Sequence, residues 1–133
     1  MLSRVLFSSA SDDYSTPQDV RESLDSEFSF TLDPCPLQEV DFLAGLRSWK
    51  GQRIFCNPPY SDIENWIRKW HEADLAVFLV PSRTDTYWWH EYAMKAEEIR
   101  FIRGRLRFGG HENPAPFPSA ILVFRSEPCS IPE

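Results

Sequence analysis

The sequence has no excess of basic residues: 14 lysines and arginines stand against 20 acidic residues, for a formal net charge of −6. A general nucleic-acid binder usually carries a broad positive field, so any contact with DNA or RNA must come from a local patch. No stretch approaches the ~20 apolar residues of a membrane-spanning helix, and the first ten residues are too short for a signal peptide. We therefore expect neither secretion nor membrane insertion.

Cysteines are also few, and repeats and low-complexity segments are absent. The three cysteines lack metal-type spacing, which indicates free thiols in a reducing cytoplasm and no metal. The alternative is a zinc site in which the cysteines join a histidine, with Cys35, Cys56, Cys129, His71, His90 and His111 as the available ligands. A length of 133 residues predicts one domain. We expect a flexible N-terminus over residues 1–13, a domain over 14–126 and a C-terminal tail over 127–133.

Proline and tryptophan, by contrast, are abundant, with eleven and five residues. Two of the prolines stand in Ile54-Phe-Cys-Asn-Pro-Pro-Tyr-Ser61. Proline lacks a donor N–H and has a fixed φ, so no strand continues through this stretch. It predicts a rigid turn at the end of a strand, and the carboxyl ends of strands are where open α/β sheets bind ligands.

Strand and helix patterns alternate along most of the chain. Arg53–Cys56 and the apolar run 75–80 predict buried strands, and Thr16 before Pro17 predicts a helix with Thr16 as its N-cap. Residues 28–33, 98–103, 105–108 and 120–125 predict further strands. We expect an α/β fold with a mixed sheet and helices on both faces. Trp66, Trp70, Trp88 and Trp89 are expected to cover the sheet, with Trp88 or Trp89 as a candidate border of a base pocket.

The turn carries two acceptors, the side-chain carbonyl of Asn57 and the main-chain carbonyl of Pro58. Two convergent acceptors suit a group with two N–H donors, either the exocyclic amino group of a base or a primary amide. Such nitrogens are poor nucleophiles because their lone pair is delocalised. In-plane acceptors help to localise that pair and stabilise the charge that develops during attack. Tyr60 offers a flat face on which a base can stack.

Asn57-Pro-Pro-Tyr60 after a strand resembles the catalytic motif of amino methyltransferases that use S-adenosylmethionine. Further blocks are similar to the phage-type DNA N-6-adenine methyltransferases (Dam family): Ser15-Thr-Pro-Gln, Phe30-Thr-Leu-Asp, Pro81-Ser-Arg-Thr-Asp-Thr, Gly104-Arg-Leu-Arg-Phe and Pro116-Phe-Pro-Ser. The similarity runs from about Tyr14 to Arg125. It implies a minimal Rossmann-like class I methyltransferase fold, the cofactor S-adenosylmethionine, and a flipped adenine of double-stranded DNA as the substrate. For a gene carried by a phage or prophage, it implies the cytoplasm of the bacterial host.

The resemblance also implies site residues. The catalytic residues would be Asn57, Pro58, Pro59 and Tyr60. Asp33 would lie near the methionine part of the cofactor, and Thr16 and Pro17 would flank the same pocket. Methyltransferases usually have an acidic residue that binds the ribose hydroxyls of the cofactor, and Asp41 is the only candidate for it in this sequence.

The chain departs from the general methyltransferase pattern after Asp33. Asp33-Pro-Cys-Pro-Leu contains no glycine, although glycines there let the backbone approach the cofactor. Nineteen residues, 34–52, separate Asp33 from Arg53, fewer than the roughly thirty of one βαβ unit. A second function therefore stays open, that of a shortened, inactive relative that binds DNA or a protein. Methylation of an amide or of RNA is a further alternative.

Arg103, Arg105 and Arg107 alternate with Gly104 and Leu106, so on a strand they would share one face. This arginine stripe can contact DNA phosphates. The alternative is a solvated sheet edge that discourages aggregation.

Overall fold

The structure is a computed structural model that describes residues 15–34, 48–108 and 113–126. Within these residues the longest helix comes first, and four strands follow with short helices between them. The strands are β1 (Arg53–Cys56), β2 (Leu75–Pro81), β3 (Glu98–Phe101) and β4 (Ser119–Arg125), and the helices are α1 (Gln18–Phe28), α2 (Ile63–Ile67) and α3 (Tyr87–Glu91). Short 3-10 segments span Tyr60–Asp62, Arg68–Glu72 and Ala93–Lys95.

The strands form one open mixed sheet in the order β1-β2-β4-β3. β1 and β2 are parallel, with Cys56 beside Phe78, whereas β4 runs antiparallel to both β2 and β3. Leu32 adds a single parallel bridge to Ile54 on the outer side of β1. The Leu32 segment, β1 and β2 therefore all end at one edge of the sheet, which we call the carboxyl edge.

Helices cover both faces of the sheet. Along β2, Ala76, Phe78 and Val80 point into one apolar cluster, which also contains the buried side chains of α2 and α3. The alternate residues of β2 point into a second cluster, which Leu24 and Phe28 of α1 complete. Every residue of β2 is buried, which explains why its sequence is continuously apolar and does not alternate. The expected α/β architecture, with a mixed sheet, is confirmed.

Two of the expected strands are wrong. Phe28 is the last residue of α1, and Ser29 reverses the chain at φ 54°. Of residues 28–33, Leu32 alone makes a bridge, because the N–H groups of both Thr31 and Leu32 donate to Arg53 O.

Residues 105–108 do not form a strand either. β3 ends at Phe101, and the chain turns through Gly104 at φ 76°. Beyond the turn, one backbone hydrogen bond, from Ala115 N to Leu106 O at 2.8 Å, ties the segment to the residues that lead into β4. A single bond of this kind does not make a ladder.

The expected ends of the domain lie outside the described residues, because the structure describes neither 1–14 nor 127–133. Of the helices in the described ranges, none has the length and apolar character needed to cross a membrane.

Candidate active site

The turn from Asn57 to Tyr60 leaves the carboxyl end of β1, as the sequence predicted. Pro58 is buried, and Pro59 has the extended geometry that its ring favours, φ −59° and ψ 132°. Asp62 N donates to Pro59 O at 2.9 Å, which closes the 3-10 turn that leads into α2. The two prolines therefore fix the direction in which the chain leaves the sheet.

Asn57 is tied to the start of the described chain. Its side-chain Nδ2 donates to Thr16 Oγ1 at 3.0 Å, across 41 positions of sequence. Thr16 does not cap α1, because Pro17 stands at the N-cap position without a side-chain hydrogen bond. Because the amide nitrogen of Asn57 is directed at Thr16, the carbonyl oxygen lies on the other side of the carboxamide group.

The Tyr60 ring is held edge-on against Phe117, with ring centroids 5.2 Å apart and planes at 80°. Tyr60 is half-buried and packs against both apolar clusters. A cavity of about 400 Å³ lies between Tyr60 and Trp88, with Asp62 and Glu64 in its lining. Of the two tryptophans proposed for a base pocket, Trp88 lines this cavity, whereas Trp89 is buried in the core.

Asp33 lies one residue beyond the Leu32 bridge, at the same carboxyl edge as Asn57. Its carboxylate is about one third exposed and lies 3.8 Å from Arg21 Nε. The Arg21 guanidinium sits over the rings of Phe30 (5.1 Å) and Phe55 (5.0 Å), so its position is set by packing. Asp41, the stand-in for a ribose-binding acid, lies outside the described residues.

The arginine stripe is not on a strand, but its side chains alternate with less exposed ones from Arg105 to Phe108. Arg103, Arg105 and Arg107 are exposed, Leu106 is half-buried and Phe108 is buried. Phe108 contacts Phe117, with centroids 6.1 Å apart, so the segment that carries the arginines packs beside the ring that supports Tyr60.

Arg100, close to the stripe in sequence, has a different role. Its guanidinium forms a two-pronged pair with Glu27 of α1, at 2.7 and 2.6 Å, and also contacts Glu98 at 2.7 Å. The hydrogen bond from Arg100 lowers the pKa of the Glu27 carboxyl below its usual value. Arg100 therefore joins α1 to the edge strand β3.

Two residues that sequence reasoning gave no role lie beside the turn, Phe117 and Arg83. The Arg83 guanidinium sits over the Phe117 ring at 5.8 Å. Both residues lie in segments that carry the family resemblance of the sequence. Arg83 belongs to Pro81-Ser-Arg-Thr-Asp-Thr, and Phe117 belongs to Pro116-Phe-Pro-Ser.

A larger cavity, about 830 Å³, lies away from Asp33 and Thr16, along the 3-10 segment Arg68–Glu72. Of the cations in its lining, Lys69 and Lys95 pair with Glu72 (3.2 Å) and Glu91 (3.8 Å), and Arg68 is exposed. We place the candidate site at the carboxyl edge because the rigid turn, the held amide and the aromatic face meet there, although the cavity beside Tyr60 is the smaller of the two.

A metal centre finds no support in the part of the chain that the structure describes, where no group of three or more His, Cys, Asp and Glu residues could hold an ion. Of the residues considered for zinc, Cys56 is buried in β1, and the His90 ring nitrogen is 2.7 Å from Thr84 O. Cys35, His111 and Cys129 lie outside the described residues.

Comparison with known proteins supplies a family. The family model described as DNA N-6-adenine-methyltransferase (Dam) matches residues 4–117, most of the chain. No curated protein and no solved structure matches. The matched residues contain the Asn57 turn, Thr16, Asp33 and the segments that carry Arg83 and Phe117. The chain belongs to the DNA N-6-adenine-methyltransferase (Dam) family.

Proposed function

We propose that the protein transfers a methyl group from S-adenosylmethionine to the N6 amino group of adenine in DNA. The observation that carries the proposal is the Asn57 carboxamide, held by Thr16 at the carboxyl edge beside the Tyr60 ring, in a chain of this family. The Rossmann-like class I fold is part of the proposal. It is supported by parallel strands that bring Asp33 and Asn57 to one edge of the sheet.

The turn suits an amino group better than a hydroxyl or a thiol. The Asn57 side-chain carbonyl and the Pro58 main-chain carbonyl are two acceptors on a proline-stiffened turn, and an amino group has two hydrogens to donate. Fixed acceptors favour the charge that develops on the nitrogen as it attacks, and they need no reorganisation at that moment. Neither group has to act as a strong base, since the amino group becomes acidic once the nitrogen has formed its new bond.

The residues proposed to bind the cofactor suit a molecule that carries a positive charge and several polar groups. S-adenosylmethionine supplies a methyl group on a positively charged sulfur, which is the leaving group when the amino nitrogen attacks. Asp33 presents a partly exposed carboxylate at the carboxyl edge, where open α/β sheets bind ligands. Thr16 and Pro17 would border the same space, because Thr16 is hydrogen-bonded to Asn57. Asp41 remains a proposal for the ribose.

The target adenine must leave the duplex before it can reach the turn, at a cost of a few kcal/mol. Tyr60 would receive the extruded base on its ring, and stacking of this kind is worth roughly 1–3 kcal/mol per base. Phe117 sets the tilt of that ring by its edge-on contact. Trp88 lines the same cavity as Tyr60 and would border the base.

A second candidate function follows from the glycine-free stretch after Asp33 and the nineteen residues 34–52. A relative with a shortened cofactor region would bind DNA or a protein without catalysis. Titration calorimetry with S-adenosylmethionine separates the two candidates. The enzyme gives a saturable heat of binding, whereas the inactive relative gives none at millimolar cofactor.

The direct test of the proposed function is transfer of labelled methyl from S-adenosylmethionine to unmethylated genomic DNA. The DNA is then digested to nucleosides, and the labelled nucleoside is identified. We expect the label on N6-methyl-2′-deoxyadenosine. Label on cytosine would retain the catalytic turn and refute adenine as the substrate, and no incorporation with bound cofactor would support the binding module.

A further inference from the structure

Arg83 lies in a well-anchored loop directly after β2, at the carboxyl edge. Its backbone N–H donates to Pro81 O at 2.8 Å, and its carbonyl accepts from Thr86 N (3.2 Å) and Thr86 Oγ1 (2.8 Å). Ser82 N donates to Pro118 O at 2.9 Å, which attaches the loop to the segment before β4. The main chain of Arg83 is therefore fixed, although its side chain is exposed.

The guanidinium of Arg83 is one aromatic ring away from Tyr60. It sits over Phe117, and Phe117 in turn contacts the Tyr60 ring edge-on. Arg83 and Phe117 line a shallow cavity of about 270 Å³. Asp85 lines the same cavity, but among the described residues it forms no ion pair with Arg83, whose guanidinium contacts the face of Phe117.

Charge is distributed unequally around Tyr60. On the α2 side the cavity wall carries Asp62 and Glu64. On the Phe117 side Arg83 and Asp85 line one cavity, and Phe108, which follows the three exposed arginines of the stripe, packs on Phe117. In a protein with a net charge of −6, a polyanion will approach on the side where positive charge is concentrated.

We infer that Arg83 binds a backbone phosphate of the DNA strand that carries the target adenine. The inference rests on the proposed function, because Tyr60 is taken as the stacking face for the base. A nucleotide carries its phosphates only a few bonds from its base, so a guanidinium one ring from the stacking face is within reach of them. Its planar fork matches phosphate oxygens in two-pronged geometry, and the fixed loop limits the entropy lost on binding.

The first test measures DNA affinity against salt concentration for the wild type, Arg83→Gln and Arg83→Lys, on a mixed-sequence duplex without methyl transfer. Arg83→Gln should lower affinity about tenfold to a hundredfold, as expected for a hydrogen bond to a charged group. The slope of log affinity against log salt concentration, called the salt slope below, should fall in magnitude by about one. Arg83→Lys keeps the charge and should keep the slope. Arg68→Gln removes another exposed arginine, one that does not line the Arg83 cavity, and should leave both quantities unchanged.

The second test locates the phosphate. In duplexes with a mapped target adenine, single phosphates are replaced by neutral methylphosphonates. The wild type should lose affinity strongly when the phosphate at one linkage next to the target adenine is replaced. Arg83→Gln should not respond to that replacement but should respond to the others as the wild type does. Arg68→Gln should keep the wild-type pattern.

The outcomes separate this inference from the proposed function. An unchanged salt slope in Arg83→Gln, with or without a lower melting temperature, overturns the inference and confines Arg83 to packing on Phe117, whatever the wild type methylates. A wild type that binds DNA but methylates nothing refutes the proposed function, and the slope then decides on Arg83 by itself. A wild type that does not bind DNA overturns both.

Discussion

At the scale of single residues, the hydrogen bond between Asn57 and Thr16 is the most informative one in the site. An amide side chain has two chemically different ends, and catalysis by the carbonyl requires that the amino end be held elsewhere. Thr16 Oγ1 holds it, at 3.0 Å. The sequence identified Asn57 from its turn, and it singled out Thr16 as a helix cap and pocket residue. The hydrogen bond between them was not predictable, because no local pattern specifies a pairing across 41 positions.

Thr16→Val should lower the maximal rate of methyl transfer about threefold to tenfold, the size expected for one neutral hydrogen bond. Valine keeps the shape of threonine but cannot accept from Asn57 Nδ2, so the carboxamide can rotate. Thr16→Ser, which retains the hydroxyl, should keep most of the rate. The measurement is the rate at saturating DNA and cofactor together with the cofactor Kd. A Thr16→Val protein with weaker cofactor binding and an unaltered saturated rate would contradict the positioning role.

Asp33→Asn should weaken S-adenosylmethionine binding about tenfold to a hundredfold, because it removes the charge from a group proposed to accept charge-assisted hydrogen bonds. The fold should persist, since the ion pair with Arg21 is long, partly exposed and of low energy. Asp25→Asn is the matched control, because Asp25 lies 3.7 Å from the same arginine but belongs to α1. Calorimetry that shows equal cofactor affinity for Asp33→Asn and the wild type would remove Asp33 from the pocket.

At the scale of elements, the sheet was easier to predict than the segments that flank it. β1 and β2 were predicted almost to the residue, because buried parallel strands are continuously apolar and prolines mark the end of β1. The strands expected at 28–33 and 105–108 failed for one reason: alternation describes which side chains are buried, not whether the backbone has a ladder partner. Arg105 and Arg107 do alternate with the half-buried Leu106 and the buried Phe108, on an irregular segment.

The pairing of α1 with β3 through Glu27 and Arg100 should contribute stability that depends on pH. The folded-state pKa of Glu27 is lowered, chiefly by the hydrogen bond from Arg100. The contribution is therefore complete above the unfolded pKa of about 4.3 and is lost as pH falls through the folded value. Because both side chains are partly exposed, it should amount to about 1 kcal/mol at most.

Urea unfolding of the wild type and Glu27→Gln between pH 7 and pH 3 measures this contribution. The variant should be the less stable protein at pH 7, and the difference should shrink at the acidic end. Glu22→Gln, on the same helix but without a cationic partner in the described structure, is the control. A difference between wild type and Glu27→Gln that stays constant over the whole range would contradict the ion-pair account.

The arginine stripe should bind DNA phosphates in addition to the one assigned to Arg83. Changing Arg103, Arg105 and Arg107 to Gln should lower DNA affinity and reduce the salt slope by about one for each phosphate that the variant no longer neutralises. Lys50→Gln, in the turn at the opposite edge of the sheet, is the control for the loss of one positive charge and is compared with each single arginine variant. An unchanged slope in the triple variant would assign the stripe to a solvated edge.

At the scale of the whole molecule, the fold class followed from the alternation of strands and helices, and the position of the site followed from where the prolines end β1. The family resemblance inferred from the blocks is confirmed by the match over residues 4–117. What the sequence did not predict is how the blocks meet: Phe117, which precedes β4, supports the ring of Tyr60, which follows β1. Such packing depends on the antiparallel return of β4 beside β2, a property of the complete sheet.

The central claim, that the Asn57 turn performs methyl transfer, is tested most directly by the single-turnover rate of Asn57→Ala with bound cofactor and adenine-containing DNA. Alanine removes the amide acceptor, whereas Pro58 and Pro59 still hold the backbone. The loss of one fixed hydrogen-bonding group typically lowers a rate about a hundredfold to a thousandfold. We predict a loss of that size with cofactor affinity close to that of the wild type. A wild-type rate in Asn57→Ala would contradict the account.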